Sequence, residues 1–160
     1  MLGIRLICVG KLKESFWKEA VKEYEKRLSK YCRLEILELK EEKLSENPSD
    51  KEIQQALAHE AAAIREKIPA GAAVIPMCIE GKTLSSEELA QEMNDLTVGG
   101  ASKLCVIIGG SVGLSPEIKK LGQLKLSMSR MTFPHHLARV MVLEQLYRGF
   151  QIQTGGKYHK

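Results

Sequence analysis

The chain has 160 residues, of which 44% are apolar and 28% charged, and its formal net charge is +4. These values fit one ordinary globular domain with a sizeable core, and no apolar run reaches the roughly 20 residues of a membrane span. The apolar part of MLGIRLICVGKLKE is too short for a signal peptide, so the cytoplasm is the expected location.

Leu2 to Val9 is a nearly unbroken apolar run, the pattern of a strand buried on both faces. Gly10-Lys11-Leu12-Lys13 turns the chain. From Glu14 onward Trp17, Ala20, Val21, Tyr24, Leu28 and Tyr31 recur at spacings of three and four, which predicts an amphipathic helix. Trp17 and the two tyrosines are candidate base-stacking platforms, but they lie on the stripe that must face a core, which favours packing. Arg33 to Leu39 reads as a second strand, and the charged segment Lys40 to Asp50, with Asn47-Pro48, as a loop. Ser49 with Glu52 forms a capping-box pattern that opens a helix with the stripe Ile53, Leu57, Ala61, Ile64 and Ile68. Gly71 ends it before a third strand, Ala72 to Ile79, in which Pro76 argues for a bulge or an edge. Glu80-Gly81-Lys82 is expected to turn the chain, and Ser85 with Glu88 caps a helix reaching Leu96.

The run from Lys103 to Arg148 organises the rest. A buried-type strand, Leu104 to Ile108, leads into Gly109-Gly110-Ser111-Val112-Gly113, and Ser115-Pro116 then start a short helix. An apolar strand ending in glycines before a helix is how α/β proteins form a ligand crevice, with the loop N–H groups pointing outward as donors. A further strand, Leu124 to Met128, breaks into Ser129-Arg130 and Thr132-Phe133-Pro134, so two loops are expected to face one crevice. The last helix, Pro134 to Gln151, has a stripe wider than one sheet contact needs. A second copy of the chain is the simplest cover for the excess. Strands alternating with helices over short connections imply a mostly parallel sheet covered on both faces.

Charge is unevenly spread. From Lys119 onward eight bases (Lys119, Lys120, Lys125, Arg130, Arg139, Arg148, Lys157 and Lys160) face one acid, Glu144, so this part carries +7 and the remainder −3. A basic face beside a crevice suits a polyanion such as nucleic acid, and equally a solvated surface. Cys8, Cys32, Cys78 and Cys105 show no metal or disulfide spacing, and three of them sit in apolar strand-like runs as small hydrophobes. The glycine loop is neither G-x-G-x-x-G nor a P-loop, which leaves a nucleoside-type ligand held by backbone groups. His135-His136 can cap the helix, contact phosphate or ligate a metal, but no third ligand stands at a sensible spacing. The residues alone define a small α/β protein with a nucleoside-like crevice; they do not name a reaction.

VIIGGSVGL, LSMSRMTFPHHLARVMVLEQLYR and the terminal YHK, together with VGKLKE, EGK and LSSEELA, resemble the bacterial ribosomal RNA pseudouridine N3-methyltransferases of the SPOUT superfamily. The likeness covers essentially the whole chain. It implies a mostly parallel α/β sheet with helices on both faces and a C-terminal trefoil knot, an exception to the rule against threaded loops. It implies S-adenosylmethionine as cofactor, contacted by Met77, Gly109 and the segment Met128, Ser129, Arg130, Met131, Thr132 and Phe133. It further implies a homodimer acting on a pseudouridine of 23S rRNA in the assembled ribosome, with no membrane and no metal. Arg148, Tyr158 and His159 would stand near the acceptor base, reaching the partner subunit's pocket. On that reading Arg148 stabilises the imide anion that forms at N3, and His159, with an ordinary pKa near ~6.5, accepts the proton or orients the base. Without it, Arg148 is a surface cation and His159 a phosphate contact or a free end. Pro76 beside Met77, and Gly155-Gly156 before the tail, depart from the family pattern and bear on the geometry of the site. Two rival readings are a non-catalytic ribosome- or RNA-binding module and a SPOUT enzyme acting on another RNA such as tRNA.

Overall fold

The computed structural model describes residues 1–160. Five strands and five helices follow in the order β1 (Leu2–Val9), α1 (Ser15–Leu28), β2 (Cys32–Leu39), α2 (Asp50–Lys67), β3 (Ala72–Thr83), α3 (Ser86–Val98), β4 (Lys103–Ile108), α4 (Pro116–Lys119), β5 (Leu126–Ser127) and α5 (His135–Gln153). The sheet order is β2-β1-β4-β3-β5 and every pairing is parallel. This is the α/β class expected from the alternation.

Side chains alternate across the sheet and divide the core in two. Ile4, Leu6, Cys8, Leu104, Val106 and Ile108 face α1, α3 and α5, while Ile7, Val9, Val74, Cys105 and Ile107 face α2 and α4. Both faces of β1 and β4 are therefore dry, as their unbroken apolar sequences require. Trp17, Tyr24 and Tyr31 pack against the larger cluster, with Tyr31 stacked on Phe150 at 5.7 Å, so the core reading of the aromatic stripe stands. Both capping boxes form: Ser49 with Glu52, and Ser85 with Glu88. Ser115 caps α4 with Pro116 in its first turn.

Three expectations need correction. Glu80-Gly81-Lys82 does not turn the chain; it lies inside β3, which runs on to Thr83. Met77 and Lys82 both pair with Leu126, so the intervening residues form a bulge directly after Pro76. The last strand is Leu126–Ser127 rather than Leu124 to Met128, because the Gln123 and Leu124 amides both turn to the Val74 carbonyl. Finally, α5 lies against both α1 and α3. Its wide apolar stripe is thus used within one chain, and stripe width alone is no argument for a second copy.

Backbone crossings near β5 are tight. A Cβ on Gly81 would stand 2.8 Å from the Lys125 and Leu126 backbone, and one on Gly122 would stand 2.6 Å from the Pro76 ring. Gln123 is locked in the same place, its side-chain oxygen accepting from the Val74 amide at 2.6 Å. Arg139, 1% exposed, pins the start of α5 to the carboxyl ends of β1 and β2. Its guanidinium pairs with Glu38 and donates to the Gly10 carbonyl at 3.2 Å. Arg139 therefore does not belong to a basic surface.

Candidate active site

A cleft of about 580 Å³ opens at the carboxyl ends of β3, β4 and β5, the end where parallel sheets bind ligands. Met77 and Cys78 supply one wall, Gly109, Gly110, Ser111 and Gly113 a second, and Met128, Ser129, Met131, Thr132 and Phe133 a third. Of the eight residues expected to hold a cofactor, all but Arg130, which is exposed, line it. His135, singled out from the sequence for other roles, and Ala138, which the sequence did not mark, close the cleft from the first turn of α5.

Local chemistry explains each wall. A Cβ at Gly109 would come within 2.5 Å of the Gly113 backbone, so the loop can fold back on itself only over glycine. Gly113 has φ +78° and donates its amide to the Gly110 carbonyl at 3.1 Å. The third wall is bent by its own serines. The Ser127 hydroxyl donates to the Ser129 carbonyl at 3.0 Å, and the Ser129 hydroxyl accepts from the Met131 amide at 3.0 Å.

The loop amides are not all outward donors, as the sequence suggested. The Ser111 amide donates to Glu41 Oε2 at 2.8 Å, across 70 positions of sequence. A carboxylate on that amide occupies the donor a phosphate would need and repels anions. With apolar walls and backbone edges, the cleft suits a phosphate-free nucleoside that carries positive charge. S-adenosylmethionine, a nucleoside sulfonium, fits that description.

Burial shifts the cleft's titratable groups toward their neutral forms. Burial lowers the His135 pKa, with help from His136 and Arg139 against an opposing pull from Glu41. Burial raises the Cys78 thiol. Away from the cleft it pushes Cys8 up to about 12, and Cys32 and Cys105 up to about 11. No group of three or more His, Cys, Asp or Glu side chains is placed to hold a metal ion.

Arg148, Tyr158 and His159 come together at the far end of α5. Arg148 pairs with Glu144 at 2.9 Å, its guanidinium lies 4.7 Å from the Tyr158 ring centre, and the Tyr158 hydroxyl donates to Glu144 at 2.7 Å. Arg148 Nη1 stands 3.1 Å from His159 Nδ1, while His159 Nε2 meets the Glu87 carboxylate. Because Arg148 can only donate, Nδ1 accepts and Nε2 carries the hydrogen. Both imidazole nitrogens are therefore engaged. Glu87 and Glu144 were not singled out from the sequence, although Glu144 four residues before Arg148 is a helical ion-pair spacing. None of this group lines the cleft, whose last residue on α5 is Ala138. The ten residues from Ala138 to Arg148 span roughly 15 Å of helix. One chain thus brings together each half of the expected site and keeps the halves apart. The basic surface is also smaller than the sequence suggested, since Lys119 pairs with Glu80 and Arg148 with Glu144.

Comparison with known proteins agrees with this architecture. The profile of the family described as "Predicted SPOUT methyltransferase" matches residues 2–159, and the chain belongs to that family. More particularly, it is 50% identical over 159 residues to the Ribosomal RNA large subunit methyltransferase H of Clostridioides difficile (strain 630), covering 99% of this chain and 100% of the relative. A protein of Methanococcus maripaludis (strain C5) is 46% identical over 159 residues, with the same coverage. Among solved structures, a probable methylase family protein from Haemophilus influenzae Rd KW20 superposes with a TM-score of 0.57 over 98% of this chain and 70% of its own, at 14% identity. That likeness speaks to the fold alone.

Proposed function

We propose that the protein is a cytoplasmic, homodimeric S-adenosylmethionine-dependent methyltransferase that methylates N3 of a pseudouridine in 23S rRNA of the assembled ribosome. Two relatives that cover 99% of the chain, both named as large-subunit ribosomal RNA methyltransferases, support the rRNA substrate. The observation that carries the cofactor reading is the cleft itself: apolar walls, glycine backbone and a carboxylate-blocked amide at the ends of β3, β4 and β5. The tight crossings at Gly81 and Gly122 are what a threaded C-terminal segment needs, and they support the trefoil knot.

The bound cofactor would supply an electrophilic methyl group on sulfonium sulfur. Met77, Gly109, Met128, Ser129, Met131, Thr132 and Phe133 would hold it and exclude water. Transfer then depends on positioning the acceptor nitrogen in line. The imide N3 must lose its proton, and the Arg148 guanidinium stabilises the resulting anion. Its pairing with Glu144 raises the Arg148 pKa further, so the cation is permanent. The Tyr158 hydroxyl, whose single proton goes to Glu144, lies beside the base and accepts from one of its N–H groups. His159 accepts a proton at Nδ1 only once Arg148 releases that nitrogen; until then it orients Arg148. Because the cleft and the basic cluster lie apart in one chain, the working site combines the cleft of one subunit with the tail of the other.

Calorimetric titration tests the first step. S-adenosylmethionine should bind at micromolar concentration, and Gly109→Ala should abolish the binding because its Cβ displaces the Gly113 backbone. Absence of heat at millimolar ligand would favour a docking module. Retained binding without rRNA methylation would favour another RNA, such as tRNA.

A further inference from the structure

The contact between Glu41 and the glycine loop joins segments remote in sequence, and neither the family's cofactor contacts nor the basic cluster accounts for it. Glu41 follows β2 by two residues in a charged loop. That loop is anchored from behind, where the Glu42 amide donates to Glu60 Oε2 at 2.9 Å on α2. Glu60 is 4% exposed and its other carboxylate oxygen has no partner, so its one bond is spent on holding the loop. From that fixed base Glu41 reaches Ser111.

Gly110 leaves the room that the same carboxylate needs. A Cβ there would clash with Glu41 Oε2 and lie 2.9 Å from its carboxyl carbon. Any other residue at 110 would expel the carboxylate. The Gly113-to-Gly110 bond closes the turn but leaves the Ser111 amide unused, and Glu41 takes it. The charge-assisted bond therefore fixes the peptide plane between two lining residues of the cleft, Gly110 and Ser111.

We infer that Glu41 is a positioning residue for the methyl-donor cleft: it sets the glycine loop in its binding shape and keeps phosphate off the Ser111 amide. The inference rests on the methyl-donor reading above. Glu41 touches neither donor nor acceptor in this account, and its effect runs through the loop.

The test uses the full-length protein with S-adenosylhomocysteine as probe, in wild type, Glu41→Ala and Glu41→Gln. Amide hydrogen exchange at Ser111 is followed in parallel. Glu41→Ala should weaken probe affinity about tenfold, the loss of one charge-assisted bond to a backbone amide, and should speed Ser111 exchange at least as much. Glu41→Gln keeps an acceptor oxygen and should recover part of both effects, with the melting temperature of all three proteins alike. Unchanged affinity with unchanged Ser111 exchange in Glu41→Ala would overturn the inference. So would equal losses in Ala and Gln variants that track a falling melting temperature. If wild type takes up no probe, the methyl-donor reading fails, and the exchange measurement alone decides whether Glu41 orders the loop.

Discussion

The Glu144 carboxylate accepts from Arg148 at 2.9 Å and from the Tyr158 hydroxyl at 2.7 Å, so one acid on α5 fixes two of the groups proposed to meet the acceptor base. Its hydrogen bond, aided by burial and by its charge, pushes the Tyr158 phenol up to about 12. The folded chain therefore holds that proton more tightly than the unfolded chain. The contact contributes fully below the ordinary phenol value of about 10 and is lost as pH rises toward 12. Glu144→Gln should return the Tyr158 titration toward its ordinary value and lower single-turnover methyl transfer by roughly a hundredfold, the scale of a misplaced group. Ultraviolet titration and rapid-quench kinetics read the two effects, and an unchanged rate would remove Glu144 from the site. At this scale the sequence was informative where spacing is local. Arg148 with Glu144 follows from helical periodicity. His159 with Glu87 and Ser111 with Glu41 join positions 72 and 70 apart, and no pattern in the chain announces them.

Between elements, Arg139 does what the start of α5 requires. Its guanidinium is buried between Glu38 and the Gly10 carbonyl, and it places His135 and Ala138 at the mouth of the cleft. Burial pushes the Glu38 carboxyl up, but the Leu12 amide and Arg139 outweigh it and hold the group below its usual range. The pair thus stabilises the fold above the ordinary glutamate value near ~4.3, and that contribution disappears as pH falls through the lowered folded value. Breaking a buried pair costs about 3–5 kcal/mol, and water access to Glu38 brings the expected loss for Arg139→Met to about 2–3 kcal/mol. Urea unfolding at neutral pH should show that loss, and it should shrink at acid pH; no change in midpoint would mean the pair is neutral. Most elements were legible because caps and periodicity are written locally: Ser49, Ser85 and Ser115 cap as expected. The EGK segment was misread because glycine and charge look like a turn, whereas here Gly81 admits the Lys125–Leu126 backbone beside a bulged strand. A strand as short as β5 has too few residues to show a period.

In the molecule as a whole, the parallel sheet was readable from the alternation of elements, but its order and the crossings around β5 depend on contacts that leave no periodic trace. The two candidate halves were marked by motifs, and the fold places seven of eight expected cofactor residues in one cleft and the three expected acceptor residues in one cluster. That a single chain keeps them apart agrees with the resemblance, which has the tail reach a partner subunit's pocket, but the distance between them is visible only in three dimensions. The most direct measurement is mass spectrometry of 23S rRNA from unmodified ribosomes incubated with S-adenosylmethionine and protein. Wild type should add one methyl group at N3 of a pseudouridine. Gly109→Ala and Arg148→Ala should each be inactive, and a mixture allowed to exchange subunits should regain part of the activity by pairing an intact cleft with an intact tail. Unmethylated rRNA with the wild-type protein would contradict the account, and a mixture as inactive as its components would contradict the shared site.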